Sequence, residues 1–173
     1  TILRPSVVYS VDDNFTTNFM TLLNRLPIFP IYYNGETKFM PIHCSDLTDI
    51  ISYVIKNNTN SQIIECVGPE TISFKEILNK LLKLIEKKRA LIPSPLFLAK
   101  FTAALFELFP QPLITRDQLR LLKYDNVLSK KYKNNSDIGV PSNRFFEAEV
   151  KKYCYMWKDG GQYATEKYQD KSI

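Results

Sequence analysis

The stretch Ile2-Leu3-Arg4-Pro5-Ser6-Val7-Val8-Tyr9 decides the fold. It is a nearly continuous run of apolar and β-branched residues, broken once by Arg4-Pro5. Strands buried on both faces of a parallel sheet carry such runs, whereas a strand with one wet face alternates. Parallel neighbours are joined by crossovers of a dozen residues or more. Nothing ahead of Ile2 supplies one, and there is no start methionine. The expectation is therefore an inner strand whose earlier neighbours lie in a larger protein, with this chain as its second half.

Working outward, Val11-Asp12-Asp13-Asn14 is turn chemistry, and Phe15, Phe19, Leu22, Leu23 and Leu26 then recur at helical spacing up to Pro27. Ile28 to Tyr33 is apolar, with Pro27 before it and Pro30 within it, which suits an edge strand or extended arm. Asn34-Gly35 is a tight-turn signal, and Lys38 to Cys44 resumes as an extended stretch. Ser45-Asp46 precedes Leu47, Ile50, Ile51, Val54 and Ile55, one face of a helix that either residue could cap. Gln62 to Val67 reads as another strand, closed by Gly68-Pro69.

Ser73 and Glu76 form a capping box for a helix running through Leu78, Leu81 and Ile85 to Lys87-Lys88. Leu96 to Phe109 is apolar nearly all round, as in a helix buried among others or docked on a partner or membrane surface. Thr115 and Gln118 form a second capping box, for a helix to Tyr124. Asp125 to Asp137 is a polar stretch, a last helix is expected from about Ser142 to Tyr155, and the end from Lys158 reads as a mobile tail. The predicted architecture is α/β: residues 1–70 carry strands and crossover helices, 71–157 form a mainly helical lobe, and 158–173 are tail.

Composition narrows the chemistry. The net charge of +5 is spread over helix faces and the tail, so it favours anionic surfaces without the dense basic block of a nucleic-acid binder. Three separated cysteines and one histidine offer no metal-binding cluster, and an odd count is no disulfide framework. No apolar run reaches the roughly 18 residues of a membrane span. Only five glycines occur, none in a Gly-x-Gly-x-x-Gly arrangement, so the chain has no phosphate-cradling loop of its own. His43 is expected to pack or hydrogen-bond, not to catalyse. Asp12-Asp13 reads as a solvated turn, and the Tyr163-x-x-x-Lys167 spacing as coincidence in a polar tail. No catalytic residue is assigned.

Leu3-Arg4-Pro5-Ser6-Val7-Val8-Tyr9 with Asp13 and Phe15, Lys38-Phe39-Met40-Pro41-Ile42 with Asp46-Leu47, and Gly68-Pro69-Glu70 with Ser73-Phe74 and Glu76-Ile77 resemble segments of the extended and atypical short-chain dehydrogenases. Leu113, Thr115 to Gln118, Leu121 to Lys123 and Asp125 to Val127, with Tyr155-Met156-Trp157 and Gly160 to Tyr163, are similar to one branch, the nucleotide-binding accessory subunits of respiratory complex I. Ser10-Val11 and Met40 depart from the family pattern, which has Gly-Pro and Gln there.

The resemblance implies a Rossmann-like sheet, with this chain as the C-terminal half. Pro5, Ser6, Val7 and Val8 would line a dinucleotide, and NADP(H) or NAD(H) would be held mainly by the other half. It implies a structural role, a peripheral place on the matrix side of the mitochondrial inner membrane or the cytoplasmic face of a bacterial one, and other complex I subunits as partners. The alternative is a free NAD(P)-dependent epimerase, dehydratase or reductase acting on a sugar nucleotide or similar small substrate. Arg4 is expected to pair with a carboxylate or backbone carbonyl, and Asp46 to cap its helix.

Overall fold

The opening run folds as two short strands, not one. The structure, a computed structural model, describes residues 1–94 and 121–161. Strand β1 (Ile2–Pro5) lies parallel to β6 (Ile63–Cys66), with Ile2 opposite Ile63 and Pro5 opposite Cys66. Past Pro5, Ser6 still donates its backbone N–H to the Cys66 carbonyl at 2.9 Å. The chain then changes partner, and β2 (Val8–Tyr9) runs parallel to β5 (Ile42–His43).

Burial corrects the expectation of a strand covered on both faces. Ile2 is 57% exposed, Arg4 and Pro5 are exposed and Leu3 is half-buried against the smaller core, and from Ser6 the run enters the interior to the fully buried Tyr9. Its parallel partner comes from downstream: the chain returns to β6 through two helices. On the other side of β6 sits β9 (Lys133–Asn134), also parallel. Nothing in the polar stretch 125–137 announces a strand. Its anchor is Asn135, 1% exposed, whose side chain accepts from Val67 N at 3.0 Å and donates to Ser142 Oγ at 3.1 Å. Ser142 in turn donates to the Val67 carbonyl at 2.8 Å, so a buried polar bridge replaces apolar alternation.

Helix α1 (Thr16–Arg25) starts where Asp13 gathers the free amides. Its carboxylate accepts from Phe15 N at 2.8 Å and Thr17 N at 3.2 Å, and from Ser10 N at 2.9 Å across the turn. Beyond Pro27, β3 (Ile28–Ile31) pairs parallel with β8 (Ala90–Pro93), and β4 (Lys38–Phe39) pairs antiparallel with β7 (Ile72–Ser73). Between β3 and β4 the backbone turns through Asn34 and Gly35, with φ of 56° and 70°.

Helix α2 (Cys44–Lys56) is capped by neither Ser45 nor Asp46 but by His43, whose Nδ1 accepts from Ser45 N at 3.2 Å. Helix α3 (Phe74–Leu84) has the expected capping box: Ser73 Oγ accepts from Glu76 N at 3.2 Å, and Glu76 Oε2 from Ser73 N at 2.7 Å. The last helix is shorter than expected: α4 covers Phe146–Val150, and a separate 3-10 turn follows at Cys154–Trp157. The apolar stretch 96–109, the capping box at Thr115 and the Tyr163/Lys167 pair lie outside the described residues.

The larger core brings α1, α3 and α4 together through Met20, Leu23, Ile77, Leu78, Leu81, Phe146 and Val150, so it draws on residues from both ends of the described chain. A smaller core of Ile42, Ile50, Ile64 and Cys66 fills the space between α2 and the sheet. Among the described residues no helix is long and apolar enough to cross a membrane.

Candidate functional site: the aromatic cavity at the strand exit

Ligands in open α/β sheets sit beyond the carboxyl ends of parallel strands. A cavity of about 550 Å³ opens at the exit of the first strand. Val7 and Val8 form one wall, and Phe15 at the N-cap of α1 with Phe19 and Leu22 on the helix forms the next. Phe29, Phe39 and Phe74 close the deep side, and Leu121 and Leu122 border it from the returning chain. The polar residues are Asn14, Asn18, Tyr32, Tyr124, Asp125 and Asn126. The rings arrive from α1 and its N-cap, β3, β4 and α3, and their edge-to-face packing fixes them: Phe19 meets Phe15 and Phe74 at 5.2 Å each, tilted by 85° and 68°.

The returning segment is fastened to the strand exit. Asn126 N donates to the Lys38 carbonyl at 2.7 Å, and the Asn126 carbonyl accepts from Met40 N at 3.2 Å and Ser6 Oγ at 3.2 Å. Asp125 Oδ1 accepts from Lys38 N at 2.8 Å. Of the four residues expected at a cofactor, Val7 and Val8 border the cavity. Alternation still holds for them: Val7 packs on the larger core and Val8 on the smaller. Ser6 is buried with both its hydroxyl and its amide engaged, and Pro5 is exposed at the end of β1.

Behind this wall lies a polar cluster. Asp46, 4% exposed, accepts from Arg144 N at 3.2 Å and from the Arg144 guanidinium, which also reaches Asp49 at 3.4 Å. The expected cap is therefore a buried ion-pair partner. Arg4 differs from expectation too: its guanidinium stands over the Tyr132 ring, 4.9 Å from the centroid. His43 lies edge-on to Tyr9 at 5.3 Å, and its Nε2 is 3.9 Å from Glu149. Burial outweighs Glu149 and lowers the His43 pKa, which keeps the ring neutral with Nδ1 free to accept its helix amide. Burial also raises the Tyr9 hydroxyl, which donates to the Arg144 carbonyl at 3.3 Å. The Cys66 thiol is pushed up to about 11 by burial, the opposite of an activated nucleophile. These groups brace the fold; none is poised for proton transfer at neutral pH.

The aromatic floor was not foreseen from sequence, because its rings are scattered over four elements. The one available signal was the Asp125-Asn126-Val127 segment, whose resemblance carried no stated role. Among the described residues, no group of three His, Cys, Asp or Glu is placed to hold a metal ion.

No family model matches the chain. In sequence it is similar to the mitochondrial 40 kDa subunit of NADH-ubiquinone oxidoreductase of Neurospora crassa, 23% identical over 173 residues, covering 98% of this chain and 43% of that protein. It is also similar to subunit 9 of the NADH dehydrogenase [ubiquinone] 1 alpha subcomplex, mitochondrial, of Dictyostelium discoideum, 29% identical over 83 residues, covering 47% and 23%. In structure it matches a human epimerase family protein with NADPH at a TM-score of 0.62 and 18% identity, covering 87% of this chain and 46% of that one. A Thermus thermophilus UDP-glucose 4-epimerase with NAD gives 0.58 at 12% identity, covering 90% and 45%. The chain thus spans less than half the length of each relative. Its fold is α/β with parallel strands, and it matches part of these epimerase structures.

Proposed function

We propose that this chain is part of an accessory subunit of NADH:ubiquinone oxidoreductase that holds NADP(H) as a structural cofactor and supports assembly of the enzyme. The observation that carries the reading is the similarity to a complex I subunit along 98% of the chain. On this reading the protein sits peripherally on the matrix side of the mitochondrial inner membrane, with other complex I subunits as its partners.

Here the cofactor meets only part of its site. Val7 and Val8, at the carboxyl end of a parallel strand, fit the nicotinamide end, with Pro5 and Ser6 shaping the approach. The described residues offer no glycine-rich loop for the phosphates, and no Lys or Arg among those lining the cavity. On this reading the phosphates are held mainly by the other half of the protein. What the bound group would supply is binding free energy to the folded state. The chain's own residues shape and dry the strand exit.

The epimerase-like fold supports a second reading, a free NAD(P)-dependent enzyme acting on a sugar nucleotide. Co-purification separates the two. Complex I extracted in mild detergent and resolved by size is expected to carry the full-length protein in its peak. Full-length protein found only in free fractions overturns the structural reading.

A further inference from the structure

We propose that the aromatic cavity binds an uncharged single-chain lipid, its aliphatic chain among the phenylalanines and its neutral head group at the amide rim. The inference stands on the cavity and does not rest on the dinucleotide reading. At about 550 Å³ the space is in the range of sites for small organic ligands. The walls are hydrocarbon: half-buried Val7, Val8, Phe15, Phe19 and Leu122 present apolar surface, backed by the buried rings of Phe29, Phe39 and Phe74. An apolar cavity holds water poorly and takes hydrocarbon well.

Ring geometry selects the shape of the guest. The neighbouring phenylalanines meet at 53° to 85°, so none of these neighbouring pairs presents parallel faces between which a flat ring could stack. The walls are uneven in a way a flexible chain can follow. Charge selects the head group. Among the described lining residues Asp125 alone carries charge, and Asn14, Asn18 and Asn126 offer amide donors and acceptors. A carboxylate or phosphate would meet the Asp125 carboxylate, and the neighbouring Lys123 ammonium, 5.6 Å from the Tyr124 ring centroid, is not among the lining residues, whereas a glycerol or alcohol head group finds donors and acceptors. The same balance disfavours a sugar nucleotide, whose diphosphate needs cations or a loop of free amides.

The complete protein should be titrated by calorimetry with 1-monolauroylglycerol below its aggregation concentration, and in parallel with dodecanoate, dodecyl phosphate and UDP-glucose. Monolauroylglycerol is expected to bind at one site and raise Tm. Dodecanoate should bind at least tenfold more weakly and recover about tenfold in Asp125→Asn, which keeps the oxygen that accepts from Lys38 N. Asn18 is exposed at the cavity, so Asn18→Trp should leave the melting curve intact and weaken monolauroylglycerol at least tenfold; Asn14→Trp serves if that variant misfolds. No saturable binding, binding unchanged in the tryptophan variants, or preferential competition by UDP-glucose each overturns the proposal.

Discussion

His43 shows how one side chain can be read correctly in kind and wrongly in detail. Packing and hydrogen bonding are what it does, but it also displaces Ser45 and Asp46 from the cap they were expected to supply. Sequence spacing cannot fix the cap to one residue here, because the choice turns on which backbone stays extended. His43 does, at φ −71° and ψ 143°, while helix α2 begins at Cys44. Its lowered pKa has a consequence for stability. The unfolded chain takes up a proton near pH 6.5, and the folded site resists it until lower pH. Stability should therefore be full above that range and fall as pH drops through it. Tm measured from pH 7.5 to 5.5 is expected to decline, and to decline less in His43→Asn, which keeps a cap acceptor without the titration. Equal slopes in the two proteins would refute this origin.

Among elements, the legible ones advertise themselves locally. Helix α3 has its box at Ser73 and Glu76 and its apolar period, so it needs no tertiary information to be found. Strand β9 has neither signal, since its place depends on Asn135 reaching Val67 from 68 residues away. The end of β6 depends on a close approach of the same non-local kind. A Cβ on Gly68 would lie 1.7 Å from the Pro41 carbonyl oxygen, while Gly68 N donates to the Met40 carbonyl at 3.1 Å. Gly68→Ala should cost about 3 kcal/mol in urea unfolding, at the upper end for overpacking, because the obstacle is backbone. Strand β1 pairs with β6 alone among the described residues and leaves an open edge beside the exposed Ile2. Open edges recruit further strands, so Ile2→Lys is expected to lower the light scattering of the 173-residue chain at high concentration. Unchanged scattering would place the association surface elsewhere.

Across the whole molecule, the α/β class and parallel pairing were readable from the hydrophobic run at Ile2 to Tyr9, whereas the cavity beside it was not. A run of adjacent residues is visible along the chain; five rings meeting from α1, β3, β4 and α3 exist only once the chain has folded. The absence of a glycine-rich loop among these residues gives a direct expectation: the 173 residues alone should show no NADPH binding by calorimetry, and tight binding would contradict the division of the cofactor site proposed above. The pairing of Ile2 with Ile63 also has a bearing on synthesis. At ribosomal rates of about 5–20 residues/s, β1 waits roughly 3–12 s for its partner to emerge. Through that interval Ile2 and Leu3 have no native neighbour on β6, so a nascent chain at this stage is a natural client for a holding chaperone, and slowed translation between the two strands would lengthen its dependence.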